Sequence, residues 1–218
     1  MLSGRYYGSK SLWQEVKPLV RQHESEEACL IFDDTILNKP YTDENDLICW
    51  HWDHSKNCNE KGINLLTAFY HTESSITTEI LRISVAFECV KKTVRFCEIT
   101  TREENRKSAV NKNEMMRLML QQSVYNQHLK FSYVLADSWF SSLDNMLFID
   151  KLKKFFVLDI KSNRLCMFAT QDRHKCQWTS LDKLPLQPQQ PVKVWIKDLK
   201  MEVVLCKFVF TNKGGSTG

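Results

Sequence analysis

The run Phe131-Ser-Tyr-Val-Leu-Ala-Asp137-Ser-Trp-Phe-Ser-Ser142 decides how the chain is read. Phe131, Tyr133, Val134 and Leu135 form a short apolar, aromatic and β-branched stretch, the pattern of a buried strand. Asp137 closes it, and Ser141 or Ser142 then stands where a helix starting near Leu143 needs a cap. In open α/β sheets the carboxyl ends of strands border the crevice that takes ligands, so a carboxylate there is a candidate metal ligand. The plainer role for Asp137 is to start the helix, and the local pattern is compatible with both.

About a hundred residues earlier, Ala28-Cys-Leu-Ile-Phe-Asp33-Asp34-Thr35 repeats the arrangement, an apolar strand running into acids. Two such strands side by side would point their carboxylates at one divalent cation. Hard ions such as Mg²⁺ take oxygen ligands of this kind and keep water or phosphate in the remaining positions. One of Asp33 and Asp34 is also compatible with a solvated role.

These two blocks, with the closing Val209-Phe-Thr-Asn-Lys-Gly-Gly-Ser-Thr-Gly218, resemble bacterial insertion-sequence transposases of the acid-triad (DDE) type, from about Ser11 to the last residue. The resemblance implies an RNase H-like catalytic domain carrying two Asp and one Glu. The first acid belongs to a pattern of acid, any residue, Thr, which Asp33-Asp34-Thr35 matches through Asp33. Asp137 matches the second. The third sits in a Tyr, Arg, Glu, Lys signature, and the chain has no match to it; Glu202 is the only Glu after residue 114 and lies in a strand-like run. The reading is therefore of a transposase fragment, truncated before the third acid and inactive as given. Asp33, Asp137 and Asp34 are its metal candidates, Mg²⁺ or Mn²⁺ its cofactor, and double-stranded DNA (the transposon ends) its partner, with a homodimer compatible. The rival reading is a non-catalytic nucleic-acid-binding or zinc-binding module.

The 218 residues suffice for one sizeable core or for a core with an inserted subdomain. Hydrophobic content of 43% and charged content of 26% are those of an ordinary soluble globular protein. No apolar run reaches membrane-span length, and residues 1–30 are too polar for a secretory signal. The eight cysteines are scattered without a Cys-x-x-Cys pair, which fits reduced thiols and a cytoplasmic location. The net charge of +4 is unevenly spread: residues 21–60 carry ten acids against three Lys/Arg, and residues 151–218 carry thirteen Lys/Arg against five acids. An acidic part holding Asp33 and a basic part beyond it suit cation and phosphate binding, or two solvated surfaces.

In chain order, residues 1–27 read as a helical lead-in, with a helix through Leu12, Val16 and Leu19 broken or begun at Pro18. Residues 28–162 read as the partial RNase H-like core. Asn38–Glu60 is expected to be a polar loop, in which Cys49, His51, His54 and Cys58 have the residue types of a zinc site or else sit in a loop packed on its tryptophans. Strands follow at Gly62–Tyr70 and Leu81–Val90, then a charged loop from Thr100 to Lys107. Asn111–Tyr125 is the clearest helix, capped by Asn111 with Glu114 in the capping-box position and striped by Met116, Met119, Leu120 and Val124. The strand to Asp137, a helix from Leu143 to about Lys153 and a strand Phe155–Ile160 complete three strands, helix, strand, helix, strand. In an RNase H-like sheet the first and fourth strands are neighbours, which would join Asp33 to Asp137. Residues 163–218 read as a β-rich insertion with interleaved lysines, where Trp178 or Trp195 could stack on a base or simply pack.

Overall fold

The computed structural model describes residues 7–53, 56–73, 80–100, 102–170 and 177–210. The chain divides into two units, Met1–Leu158 and Asp159–Gly218. The fold is mixed α/β with more strand than helix.

In the first unit the spine is β1 (Cys29–Asn38) and β3 (Cys58–Glu73), paired antiparallel from Cys29 opposite His71 to Asn38 opposite Gly62. Their side chains obey the two-residue period of a strand. Leu30 and Phe32 of β1, with Leu66, Ala68 and Tyr70 of β3, turn to one face and are buried. Gly62 is required by a close approach: a Cβ there would stand 2.3 Å from the Leu37 carbonyl oxygen. The far edge of β3 is shared by β2 (Cys49–Asp53) and β4 (Ile80–Cys89), both antiparallel to it. On the free side of β1, β7 (Tyr133–Ala136) pairs in parallel, and β8 (Phe155–Leu158) pairs in parallel with β7. A separate hairpin is formed by β5 (Val94–Cys97) and β6 (Glu104–Lys107).

Three helices cover the buried face. They are α1 (Ser9–His23), α2 (Lys112–Tyr125) and α3 (Leu143–Lys151). Val20 of α1, Met116, Met119 and Leu120 of α2 and Ile149 of α3 join the strand residues and Phe131, Val134 and Phe140 in one apolar cluster. Burial of this kind is the main favourable term in the fold. The caps follow the sequence: the Asn111 side chain accepts the Glu114 backbone N–H at 2.9 Å, and the Ser142 hydroxyl accepts that of Asn145 at 3.2 Å. Among the described residues no helix packs on the second face of the sheet over β7 and β8, and Phe155 and Val157 there are more than half exposed.

The second unit holds a four-stranded antiparallel sheet, ordered β10 (Thr179–Ser180), β9 (Leu165–Phe168), β11 (Val192–Ile196), β12 (Glu202–Leu205). Cys166, Met167, Val194, Ile196 and Leu199 are buried in it, and Trp178 and Trp195 are half-buried.

Four expectations are corrected. The helix α1 runs through Pro18 without a break, held by Trp13, Val16 and Val20 against the core. The region Asn38–Glu60 is not one loop: it contains the end of β1, all of β2 and the start of β3. The charged stretch after Thr100 supplies β6, where Glu104 meets Arg95 at 3.3 Å across the hairpin. The last helix and strand end earlier, at Lys151 and Leu158. The glycine-rich tail 212–218 and His54 lie outside the described residues. Among the described residues, no helix is long and apolar enough to cross a membrane.

Tyr70 ties the lead-ins of the two central strands together. Its hydroxyl donates to the Lys130 carbonyl at 2.8 Å and accepts the Ser25 N–H at 2.9 Å, and the side chain is fully buried, which pushes its pKa up to about 12. Tyr70→Phe leaves both backbone groups unpaired and is expected to cost about 1–3 kcal/mol, seen as a lower urea midpoint at unchanged slope.

Candidate active site

The site is built by the pairing of β1 with β7. The register runs from Cys29 opposite Tyr133 to Phe32 opposite Ala136, so the next positions are Asp33 and Asp137. Asp137 keeps an extended backbone (φ −72°, ψ 179°), and the strand direction continues through it. Neighbouring strands lie about 4.8 Å apart and paired residues share a face. Asp33 and Asp137 therefore stand side by side at the carboxyl ends of adjacent parallel strands, both on the face without helices.

Burial is the chief reason the Asp33 carboxyl titrates above its ordinary value. The charges of Asp34 and Asp137 add to the effect, against a hydrogen bond from the Asp34 backbone N–H. Among the described residues no Lys or Arg pairs with either Asp33 or Asp137. Asp137 does act as a local cap: its Oδ1 accepts the Trp139 N–H at 3.0 Å and starts the short turn Ser138–Phe140. That leaves most of its lone-pair capacity open.

Asp34 goes the other way. One step along the pleat, it points to the helix-covered face, where Lys112 Nζ reaches it at 2.8 Å and Asn64 Nδ2 at 3.1 Å. The same Lys112 ammonium lies 5.0 Å from the Trp139 ring centre. The pair of Asp33 and Asp137 is thus separated by the sheet itself from Asp34 and its cation.

A buried amide fixes the segment after Asp137. Asn145 is fully buried on the first turn of α3; its Nδ2 donates to the Phe140 carbonyl at 2.9 Å and to Asn113 Oδ1 at 2.7 Å, and its Oδ1 accepts from Arg117 at 2.7 Å. One side chain links α2, α3 and the turn that follows the second acid. Sequence reasoning missed Asn145, Asn64 and Lys112, since a lone Asn or Lys near a helix start carries no signal of its partners.

Of the zinc candidates, Cys49 and His51 share a face of β2, with Sγ and Nε2 3.3 Å apart. Cys58 lies opposite Asp53, four residues along β3 from Gly62, the partner of Cys49, which is about 14 Å away at strand rise. Among the described residues no group of three or more His, Cys, Asp or Glu could hold a metal. Comparison with protein-family models, curated proteins and solved structures finds no match.

His51 is 5% exposed, and burial, then Lys92 and Lys112, lower its pKa from 6.5 to about 4. Because the unfolded chain takes up this proton first, stability is expected to fall as pH drops from about 6.5 towards 4. The loss is at most on the order of 3 kcal/mol. In His51→Gln, acid titrations of Tm should be flatter across that interval.

Proposed function

We propose that this chain is a DNA-processing module of the acid-triad transposase kind on an RNase H-like core, with Asp33 and Asp137 as its metal ligands. The observation that carries the reading is the register of β1 on β7, which sets two carboxylates side by side at adjacent strand ends. The order of the central sheet, β3 beside β1 beside β7 beside β8, with β4 on the far side of β3, supports the RNase H-like assignment.

The donor set suits a hard divalent ion. Two adjacent carboxylates, to neither of which a Lys or Arg of the described residues is paired, repel each other, and Mg²⁺ or Mn²⁺ would relieve that repulsion. When bound, such an ion supplies charge stabilisation at a scissile phosphodiester and lowers the pKa of a water. Asp33 and Asp137 would hold it. Asp34 would stay out, engaged by Lys112 behind the sheet, so Asp33 is the better first acid. The Asn145 network would hold the Asp137 turn in position. Two carboxylates without a third fix an ion loosely, and catalysis of this kind is sensitive to misplacement by about 1 Å. Little or no DNA cleavage is therefore expected of the chain by itself. The Lys/Arg excess after residue 150 fits DNA binding that is weak, steeply salt-dependent and indifferent to sequence.

Thermal unfolding tests the ligand assignment. Mg²⁺ or Mn²⁺ should raise Tm of the unaltered chain and have no such effect on Asp33→Asn or Asp137→Asn. Without metal, Asp33→Asn should be more stable than the parent at neutral pH, because a raised carboxyl pKa opposes folding once the group ionises. The gain should vanish as pH falls below the ordinary Asp value of 3.8. Equal metal responses in all three proteins would exclude this pair as the site. Incubation with linear DNA and Mn²⁺ tests the activity: cleavage abolished by Asp137→Ala would make the chain a working nuclease and overturn the expectation of inactivity.

A further inference from the structure

The strand β2 has an unusual division of faces. Cys49 and His51 turn inward and are buried, while Trp50 is 52% exposed and Trp52 47% exposed. Two large aromatic side chains on neighbouring outward positions of an edge strand put much apolar surface in water. Across the ladder, Trp50 faces Lys61 and Trp52 faces Asn59. The ladder of β1 and β3 extends to Lys39, whose N–H donates to the Lys61 carbonyl at 2.8 Å. Lys92 Nζ bonds the Trp50 carbonyl and fixes the strand from its other side.

Charge is sorted between the two faces of this hairpin. Glu60 and Asp53 lie opposite His51 and Cys58, on the inward side, and both are within ion-pairing reach of Lys56, at 2.7 and 3.9 Å. Lys39 and Lys61 have no ion pair among the described residues. The outward side therefore offers aromatic rings beside uncompensated ammonium groups, a combination that suits a polyanion carrying flat rings.

We propose that Trp50 and Trp52, flanked by Lys61 and Lys39, form a platform for single-stranded nucleic acid. Residues two apart on one strand face are spaced by about 6.8 Å, twice the roughly 3.4 Å repeat of stacked bases. Stacking on aromatic rings beside a cationic track is how single strands are held without sequence readout, and a duplex, its bases already stacked, offers only its phosphates. The platform also shares a sheet face with Asp33. Along that face Asp33 lies opposite Thr67, Thr35 opposite Leu65 and Leu37 opposite Ile63, and the next outward position of β3 is Lys61. Thr67 and Lys61 are six residues apart, about 20 Å of strand. The inference goes beyond the carboxylate site and stands without it.

Fluorescence anisotropy of the full chain with labelled oligothymidine and with a blunt random-sequence duplex, both in EDTA, tests the platform apart from any metal. The single strand should bind more tightly than the duplex. Trp50→Ala and Trp52→Ala should each weaken it about ten-fold, the scale of one lost base–aromatic stack. Lys61→Glu, which keeps both rings, should weaken it as well, and unchanged circular dichroism shows the variants folded. Single-strand affinity unaltered in all three variants would overturn the proposal, as would preference for the duplex. So would a tryptophan variant that changes only self-association in sedimentation, since the face would then bind a second copy of the chain.

Discussion

Four paired residues on each of two strands hold the architecture together. The parallel ladder of β1 and β7 spans Cys29–Phe32 and Tyr133–Ala136, and it is the contact that closes more than a hundred residues of intervening chain into one sheet. Such long-range pairing is entropically costly and must be supported by burial. The support comes from the inward side chains of the same short ladder: Leu30, Phe32 and Val134 are 0–2% exposed under the helices. Every feature of the carboxylate site is downstream of that packing. The acids sit where the ladder runs out because the apolar residues that secure the register end one position earlier.

The pleat then sorts charge. Three acids, Asp33, Asp34 and Asp137, occupy neighbouring positions, yet only two of them share a face. The third is drawn to the opposite side by Lys112 and Asn64. A β-strand achieves this without any special conformation, since consecutive side chains alternate. The outcome is a pair of carboxylates on one face, to which no Lys or Arg of the described residues is paired, and an ion pair on the other.

Much of this was legible in the sequence, and the reasons are physical. The α2 helix carried both a cap and a 3.6-residue stripe; β1 and β7 carried unbroken apolar runs; Ser141 or Ser142 announced the start of α3, and it is Ser142 that caps it. Signals were weakest where local pattern and tertiary context disagree. Pro18 argued for a helix break, but the packing of Trp13, Val16 and Val20 outweighs one lost backbone bond. The strand β2 was hidden because its alternation is Cys, Trp, His, Trp, in which the large apolar members face outward and one inward member is a histidine. The strand β6 is wholly polar, and its place in the hairpin rests on pairing with β5, including Arg95 with Glu104, which no single segment reveals. The buried amide of Asn145 is invisible for the same reason: its meaning lies in partners 28 and 32 residues away.

The length of β3 has a consequence for how this chain can change. Ten of its 16 residues, from Gly62 to His71, pair with β1 in one register, and the strand continues from the level of the carboxylates into the tryptophan hairpin. Because the side-chain period is two, insertion or loss of a single residue anywhere along that run, unless absorbed by a bulge, would turn all positions beyond it to the opposite side. Asp33 and Trp50 are thus locked in phase. The sheet's length between them can change only in steps of two, or with a compensating bulge of the kind β4 already carries at Val85, where its pairing with β3 shifts between Ala68 and Phe69.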